Sequence, residues 1–220
     1  MKPLHVVIGT AFTALLACPM WAAGQSVTPA AVRRTDASGL LGWFSANERQ
    51  VKAYDDWYHR SWSADLTIGH YWTEHLKTEM YGGMTSEDEL WGDRTFPLSG
   101  IYSPVNHQFS THVVGIGQQY QFGHNAWFHP YLGGGAALEW VRHIEAREPT
   151  YQYGRSGSSP LLVEPGRTIG PRTDVRALPF VNGGFKAYMT ERSFFRSDLR
   201  VAFKPDVRDI GLRVGFGFDF

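Results

Sequence analysis

Ser110 and His112 stand two residues apart in Phe109-Ser110-Thr111-His112-Val113, and in an extended chain side chains at that spacing leave the same face. A hydroxyl beside an imidazole in that geometry permits general-base activation of a nucleophile. No acidic residue is obviously placed to orient the ring, so the plainer reading is two polar residues in an interfacial zone. The other histidines, His59, His70, His75, His107, His124, His129 and His143, show no HExxH or paired ligand spacing. Gly133-Gly134-Gly135 lies inside an extended pattern with no helix after it. It therefore reads as close backbone packing and not as a nucleotide loop. Glu87-Asp88-Glu89 could meet a divalent cation or only keep its loop solvated. No catalytic, cofactor or metal residue is assigned, and no cofactor is expected.

A second set of charged residues is better organised. Alternation places Lys77, Lys186, Arg196, Arg200 and Arg213 on the same side of their segments as Asp65, Glu79, Glu139, Asp198 and Asp219. Cations and anions are equal in number. An unpaired charge is strongly disfavoured in low dielectric, so this equality points to an interior of salt bridges and not to a selective lumen.

The elements that must carry these residues are clearest at the carboxyl end. Leu212, Val214, Phe216, Phe218 and Phe220 alternate with Arg213, Gly215, Gly217 and Asp219. Strict period two with apolar residues on one face suits a strand with lipid on one side and a packed polar interior on the other. Residues 62 to 72 repeat the pattern with Trp62, Ala64, Leu66, Ile68, His70 and Trp72, and a turn near Thr73 to His75 leads into Leu76, Thr78, Met80, Gly82 and Met84. Residues 108 to 122 and 128 to 140 form a second hairpin, and 177 to 189 and 193 to 203 a third. Closure with an even number of strands requires one more, for which residues 38 to 46 are the candidate.

The connections orient the fold. Turns at 73 to 75, 123 to 126 and 190 to 192 are short, whereas 86 to 107 and 143 to 175 are long and rich in Gly, Pro, Ser and charge. In bacterial barrels short turns face the periplasm and long loops the exterior. Residues 47 to 60 form the first outer loop, with a short interfacial helix over Val51 to Trp57 as an option. Aromatics gather at both ends, Trp72, Phe122, Phe128, Phe195 and Phe220 near the short turns and Trp62 and Trp140 near the loops, as two interfacial girdles require.

Composition agrees. The 220 residues are 43% hydrophobic and 15% aromatic with 24 Gly, yet mean hydropathy is only −0.29, which follows if aromatic and polar residues are interleaved one by one. Beyond the first twenty or so residues no apolar run is long enough for a spanning helix. Lys and Arg total 21 and Asp and Glu 21, so neither a nucleic-acid surface nor an acidic tail is indicated. Lys2, the uncharged stretch Leu4 to Ala17 and Ala22-Ala23-Gly24 read as a secretory signal peptide over residues 1 to 24. The barrel domain is then 25 to 220, with its clear strands within 62 to 220. Leu15-Leu16-Ala17-Cys18 also approximates a lipobox, which leaves lipoprotein processing as the alternative.

Taken together, these residues resemble the small eight-stranded outer-membrane barrels grouped with the OmpA transmembrane domain, the opacity proteins and OmpW. The likeness is carried by Ile68-Gly69-His70-Tyr71-Trp72-Thr73-Glu74-His75-Leu76-Lys77-Thr78-Glu79, by Pro130-Tyr131-Leu132-Gly133-Gly134-Gly135-Ala136-Ala137, and by the terminal Phe220 with its alternating apolar residues. It implies an all-β, eight-stranded antiparallel transmembrane up-and-down barrel, contact with outer-membrane lipid and lipopolysaccharide, and recognition of the last strand by the barrel assembly machinery. No peptidoglycan-binding segment follows the last strand, so wall anchoring is not expected. The lipid A deacylases among small barrels carry His-x-Ser where this chain has Ser110-x-His112. The leading expectation is a structural or surface-binding role through the outer loops, without nucleic acid as partner. A narrow OmpW-like path for small apolar or zwitterionic solutes is the alternative, and lipid A modification the third.

Overall fold

The computed structural model describes residues 35–49, 51, 54, 56–96, 101–123, 127–152, 161–204 and 206–220. The expected signal peptide, its cleavage site and Cys18 lie outside these residues, as does His124. Within them the chain forms β1 (Thr35–Asn47), β2 (Trp57–Tyr71), β3 (Leu76–Thr85), β4 (Asp88–Phe96), β5 (Ile101–Gln121), β6 (Phe128–Arg147), β7 (Thr150–Gln152), β8 (Leu161–Glu164), β9 (Arg167–Tyr188), β10 (Ser193–Lys204) and β11 (Asp206–Asp219).

Eight of these close a ring in the order β1, β2, β3, β5, β6, β9, β10, β11, with every neighbouring pair antiparallel. β1 closes the ring by pairing with β2 on one side and β11 on the other, in registers Trp43↔Trp62 and Trp43↔Leu212. Burial alternates along the strands. In β2, Trp62, Ala64, Leu66, Ile68 and His70 are exposed while Ser63, Asp65, Thr67 and Tyr71 are buried. In β11, Leu212, Val214, Phe216 and Phe218 are exposed around a buried Arg213. Apolar side chains thus cover the outside and polar ones fill the inside, the reverse of a water-soluble fold. Among the described residues no helix is long and apolar enough to cross a membrane.

Two turns at one end share one device. Thr73 Oγ1 accepts from the backbone N–H of His75 at 3.3 Å and Leu76 at 2.9 Å. Thr190 Oγ1 accepts from Arg192 at 3.2 Å and Ser193 at 2.9 Å. A threonine hydroxyl that closes its own turn explains why Thr-Glu-x ends both hairpins.

The other end is taller than loop composition implies. Residues 86–107 and 143–175, expected as long loops, are largely strand. β4 continues the wall of β3 and pairs with the first half of β5 from Asp88↔Phe109 to Phe96↔Ile101. β6 and β9 pair out to Arg147↔Arg167, and β7 and β8 form a small hairpin beyond them. The reason is that backbone groups need partners in water as well as in lipid, whereas side chains above a membrane can be polar on both faces and leave no period-two signal. A register shift between His143 and Glu145 accommodates the irregular stretch that contains Pro171. The helix expected over 51–57 falls partly outside the described residues, and Trp57 already belongs to β2. β1 extends the expected 38–46 at both ends, and the link expected at 205–209 is mostly the start of β11.

Candidate functional site in the barrel interior

Arg196 projects from β10 and Glu79 from β3, strands that stand opposite each other in the ring. Their side chains meet in a bidentate pair, Nη1 to Oε2 at 2.6 Å and Nη2 to Oε1 at 2.9 Å, so a single ion pair spans the bore. Arg196 is fully buried, and it also donates from Nε to the Tyr131 hydroxyl at 2.8 Å and from Nη2 to Asp198 at 2.9 Å. Asp198 in turn accepts from Arg213 Nε at 2.7 Å, and Arg213 Nη1 lies 3.6 Å from Asp65. Glu79 is held from below by Lys77 Nζ at 2.6 Å and from the side by Gln119 Nε2 at 2.8 Å.

A second beam lies nearer the short turns. Asp36 on β1 accepts from both Lys77, at 3.1 Å, and Lys186 on β9. Lys186 also donates to the Tyr71 hydroxyl at 2.6 Å across the bore, and Tyr71 donates to Asp36 at 3.0 Å. Every charge in this layer therefore has an opposite partner, the condition under which buried ions are tolerated.

Toward the tall end the filling changes. Arg200 packs its guanidinium over Tyr81 at 4.6 Å and Phe180 at 5.7 Å. A cavity of about 20 Å³ opens beside it, lined by Ser63, Asp65, Glu139, Arg200 and Arg213 among others. Asp65 Oδ2, Glu139 Oε1, Arg200 Nη1 and Arg213 Nη1 have no hydrogen-bond partner among the described residues, and a polar cavity of this size suits one water. Above it Phe44, Ala46, Tyr58, Leu90, Phe109 and Val141 form an apolar stopper, with the Tyr58 and Phe109 rings stacked at 5.3 Å. Glu48 closes the top, paired with Arg208 and, at 2.8 Å, with Arg176.

Of the charged residues singled out in the sequence, Asp65, Lys77, Glu79, Lys186, Arg196, Asp198 and Arg213 lie in the paired layers. Glu139 and Arg200 line the cavity. Asp219 lies half-buried at the short-turn end, directly across the β1–β11 pairing from Asp36, and accepts from Tyr188 at 2.6 Å. Sequence reasoning missed Asp36, Glu48, Arg176, Arg208 and Asp209. Asp36 lies in phase with Ser38 and Leu40 two and four residues on, and Arg176 in phase with Leu178 and Phe180, so the inward phase of β1 and β9 would have found both; Glu48, Arg208 and Asp209 sit at strand ends beside register shifts.

The remaining candidates stay separate. Ser110 and His112 both face outward on β5, opposite Arg142 and Trp140 of β6. His107 and His143 approach inside the tall end, Nδ1 to Nε2 at 3.0 Å, with His143 stacked on Phe109 at 4.6 Å. Burial holds both imidazoles below the ordinary histidine value. Among the described residues no group of three or more His, Cys, Asp or Glu side chains is arranged to hold a metal ion. Within Gly133-Gly134-Gly135, a Cβ on Gly135 would run into the carbonyl of Ile116, so close strand packing requires that glycine.

The sequence matches no protein-family model and no curated protein. Its structure is similar to solved small barrels. Neisserial surface protein A shares 12% identity over 84% of this chain and 97% of that one, with a TM-score of 0.54. The N-terminal β-barrel domain of Pseudomonas aeruginosa OprF shares 14% over 84% and 97%, TM-score 0.46. Ail of Yersinia pestis shares 13% over 85% and 99%, TM-score 0.48. The first of these likenesses supports the eight-stranded barrel fold.

Proposed function

We propose that this chain is an integral outer-membrane barrel with a closed interior, acting as a rigid support that presents its tall strand ribbons for surface binding. The observation that carries the reading is the Arg196–Glu79 pair across the bore, roofed by the Phe44–Tyr58–Phe109 stopper. An eight-stranded barrel is only wide enough for side chains to fill, and here ion pairs fill it. The apolar outer band supports residence in lipid, and the short Thr-closed turns support a periplasmic position for that end. The ribbons β4–β5 and β6–β9 then stand outside the cell, available to lipopolysaccharide or another macromolecule. The exposed row Leu212, Val214, Phe216, Phe218 and Phe220 is the surface offered to the barrel assembly machinery. Catalysis is not part of the proposal, because Ser110 and His112 have no acidic partner in their row.

The test is conductance in planar bilayers, on protein first shown by heat-modifiable gel migration to be a folded barrel. The closed interior gives no steady single-channel current. Reproducible unitary steps would refute it in favour of a narrow solute path.

A further inference from the structure

The outer wall formed by β1, β2, β3, β5 and the edge of β6 carries a groove of about 530 Å³, lined on the outside by Gly39, Leu41, Ala64, Gly82, Val114 and Trp140 among others. Its floor is small because Gly39, Ala64 and Gly82 alternate with large residues in two adjacent cross-strand rows, Gly39–Leu66–Gly82–Val114 and Leu41–Ala64–Met84–His112. The barrel does not need this smallness. A Cβ on Gly39 would meet only Leu66 at 3.7 Å and one on Gly82 only the Val113 carbonyl at 3.9 Å, both ordinary contacts. By contrast, a Cβ added to outward-facing Gly134 would crowd the Phe180 carbonyl at 3.1 Å, and one on Gly183 would press on the Leu132 side chain at 2.8 Å.

The next row toward the tall end is Trp43–Trp62, followed through Ser86 and Ser110 to Arg142 and Thr173. Two tryptophans in this row, with Trp140 one row below, place the groove just inside an interfacial belt. At that depth hydrocarbon is the surrounding medium, and a depression left unfilled forfeits dispersion contacts on one side. At the head of the groove the pairs Ser110↔Arg142 and His112↔Trp140 sit side by side. Arg142 is exposed and has no ion-pair partner among the described residues, and its own row holds no carboxylate. Glu89 faces outward one row higher and two strands away.

We propose that this wall is a binding site for a phosphorylated glycolipid of the outer leaflet. An acyl chain lies in the Gly39–Ala64–Gly82 groove, and a headgroup phosphate is held by Arg142, Ser110 and His112. An arginine fork matches phosphate oxygens bidentately, while the hydroxyl and imidazole supply further hydrogen bonds. The inference rests on the membrane orientation given above, and it explains the Ser110–His112 spacing without nucleophilic chemistry.

The experiment is native mass spectrometry of the detergent-purified barrel with bisphosphorylated lipid A, dephosphorylated lipid A and phosphatidylglycerol as probes. Every sample is first checked for heat-modifiable migration and a β circular dichroism spectrum. The wild type retains one bisphosphorylated lipid A. Arg142→Ala and Gly82→Leu each weaken retention by roughly tenfold, about 1.4 kcal/mol, and Val181→Leu on the far wall leaves it unchanged. Equal retention by the wild type and Gly82→Leu, or by lipid A with and without phosphate, overturns the site while leaving the barrel intact. Equal retention of phosphatidylglycerol overturns the glycolipid assignment. Loss of the gel shift in the wild type overturns the barrel itself.

Discussion

Replacing Arg196 by methionine tests the beam that closes the bore. The substitution removes a fully buried cation and its bidentate bonds to Glu79 at 2.6 and 2.9 Å, with further bonds to Asp198 and Tyr131. Glu79 keeps Lys77 at 2.6 Å and Gln119 at 2.8 Å, and Asp198 keeps Arg213 at 2.7 Å. Removing one partner of a buried pair costs about 3–5 kcal/mol, and these surviving partners put Arg196→Met at the lower end of that range. Glu79→Gln leaves Arg196 with Asp198 as its remaining carboxylate, beside the Tyr131 hydroxyl, and costs a similar amount. The double variant removes one charge of each sign and leaves neither partner exposed to the other's absence. It therefore costs less than the sum of the two, with a coupling of about 2 kcal/mol. Equilibrium urea unfolding in lipid vesicles, followed by tryptophan fluorescence and gel migration, reads all three. A single-variant cost under about 1 kcal/mol, the range of a solvated pair, would refute the argument, and so would additive single effects.

Three other outcomes follow from separate parts of the molecule. Phe220→Ala, at an exposed position whose N–H bonds the Thr35 carbonyl at 2.8 Å, lowers the heat-modifiable protein recovered from outer membranes several-fold and leaves refolding in detergent unchanged; loss in both would assign Phe220 to stability and not to assembly. Gly215→Val prevents folding in both settings, because a Cβ there would run into the Gly39 carbonyl oxygen, and a normal gel shift would contradict it. The His107–His143 pair lies in the tall-end extensions of β5 and β6, facing Glu145, Arg147, Arg172, Asp174 and Glu48, and burial disfavours the charged form of both rings in the folded ribbon. An opened ribbon takes up protons below about pH 6.5, so ribbon stability rises with pH through that window and is lost as pH falls toward the lowered folded values. Hydrogen exchange over residues 101–109 and 141–147 is then faster relative to the barrel at pH 5.5 than at pH 7.5, and His107→Gln reduces that difference; equal protection at both pH values would refute it.

How much of this was legible in the sequence depends on which solvent each side chain meets. Where lipid lies on one side and a polar bore on the other, as at Leu66 and Ile68 against Asp65 and Thr67, alternation reveals both the strand and its facing. β1 alternates poorly because its upper half lies beside the apolar stopper: Leu40 and Phe44 point inward while Leu41 and Trp43 point outward, so both faces are apolar and the period disappears. The ribbons of β4 and the outer parts of β5, β6 and β9 fail for the opposite reason, since water on both sides permits polar residues on both faces. The candidate interior shows a further limit. Alternation assigns Arg196 and Glu79 to the inside but says nothing of their meeting, because that depends on the stagger accumulated around the closed ring, and β3 and β10 come face to face only after four strand-to-strand registers are fixed. Charge equality among inward residues is thus a sound signal that pairs exist, whereas the identity of each pair belongs to closure.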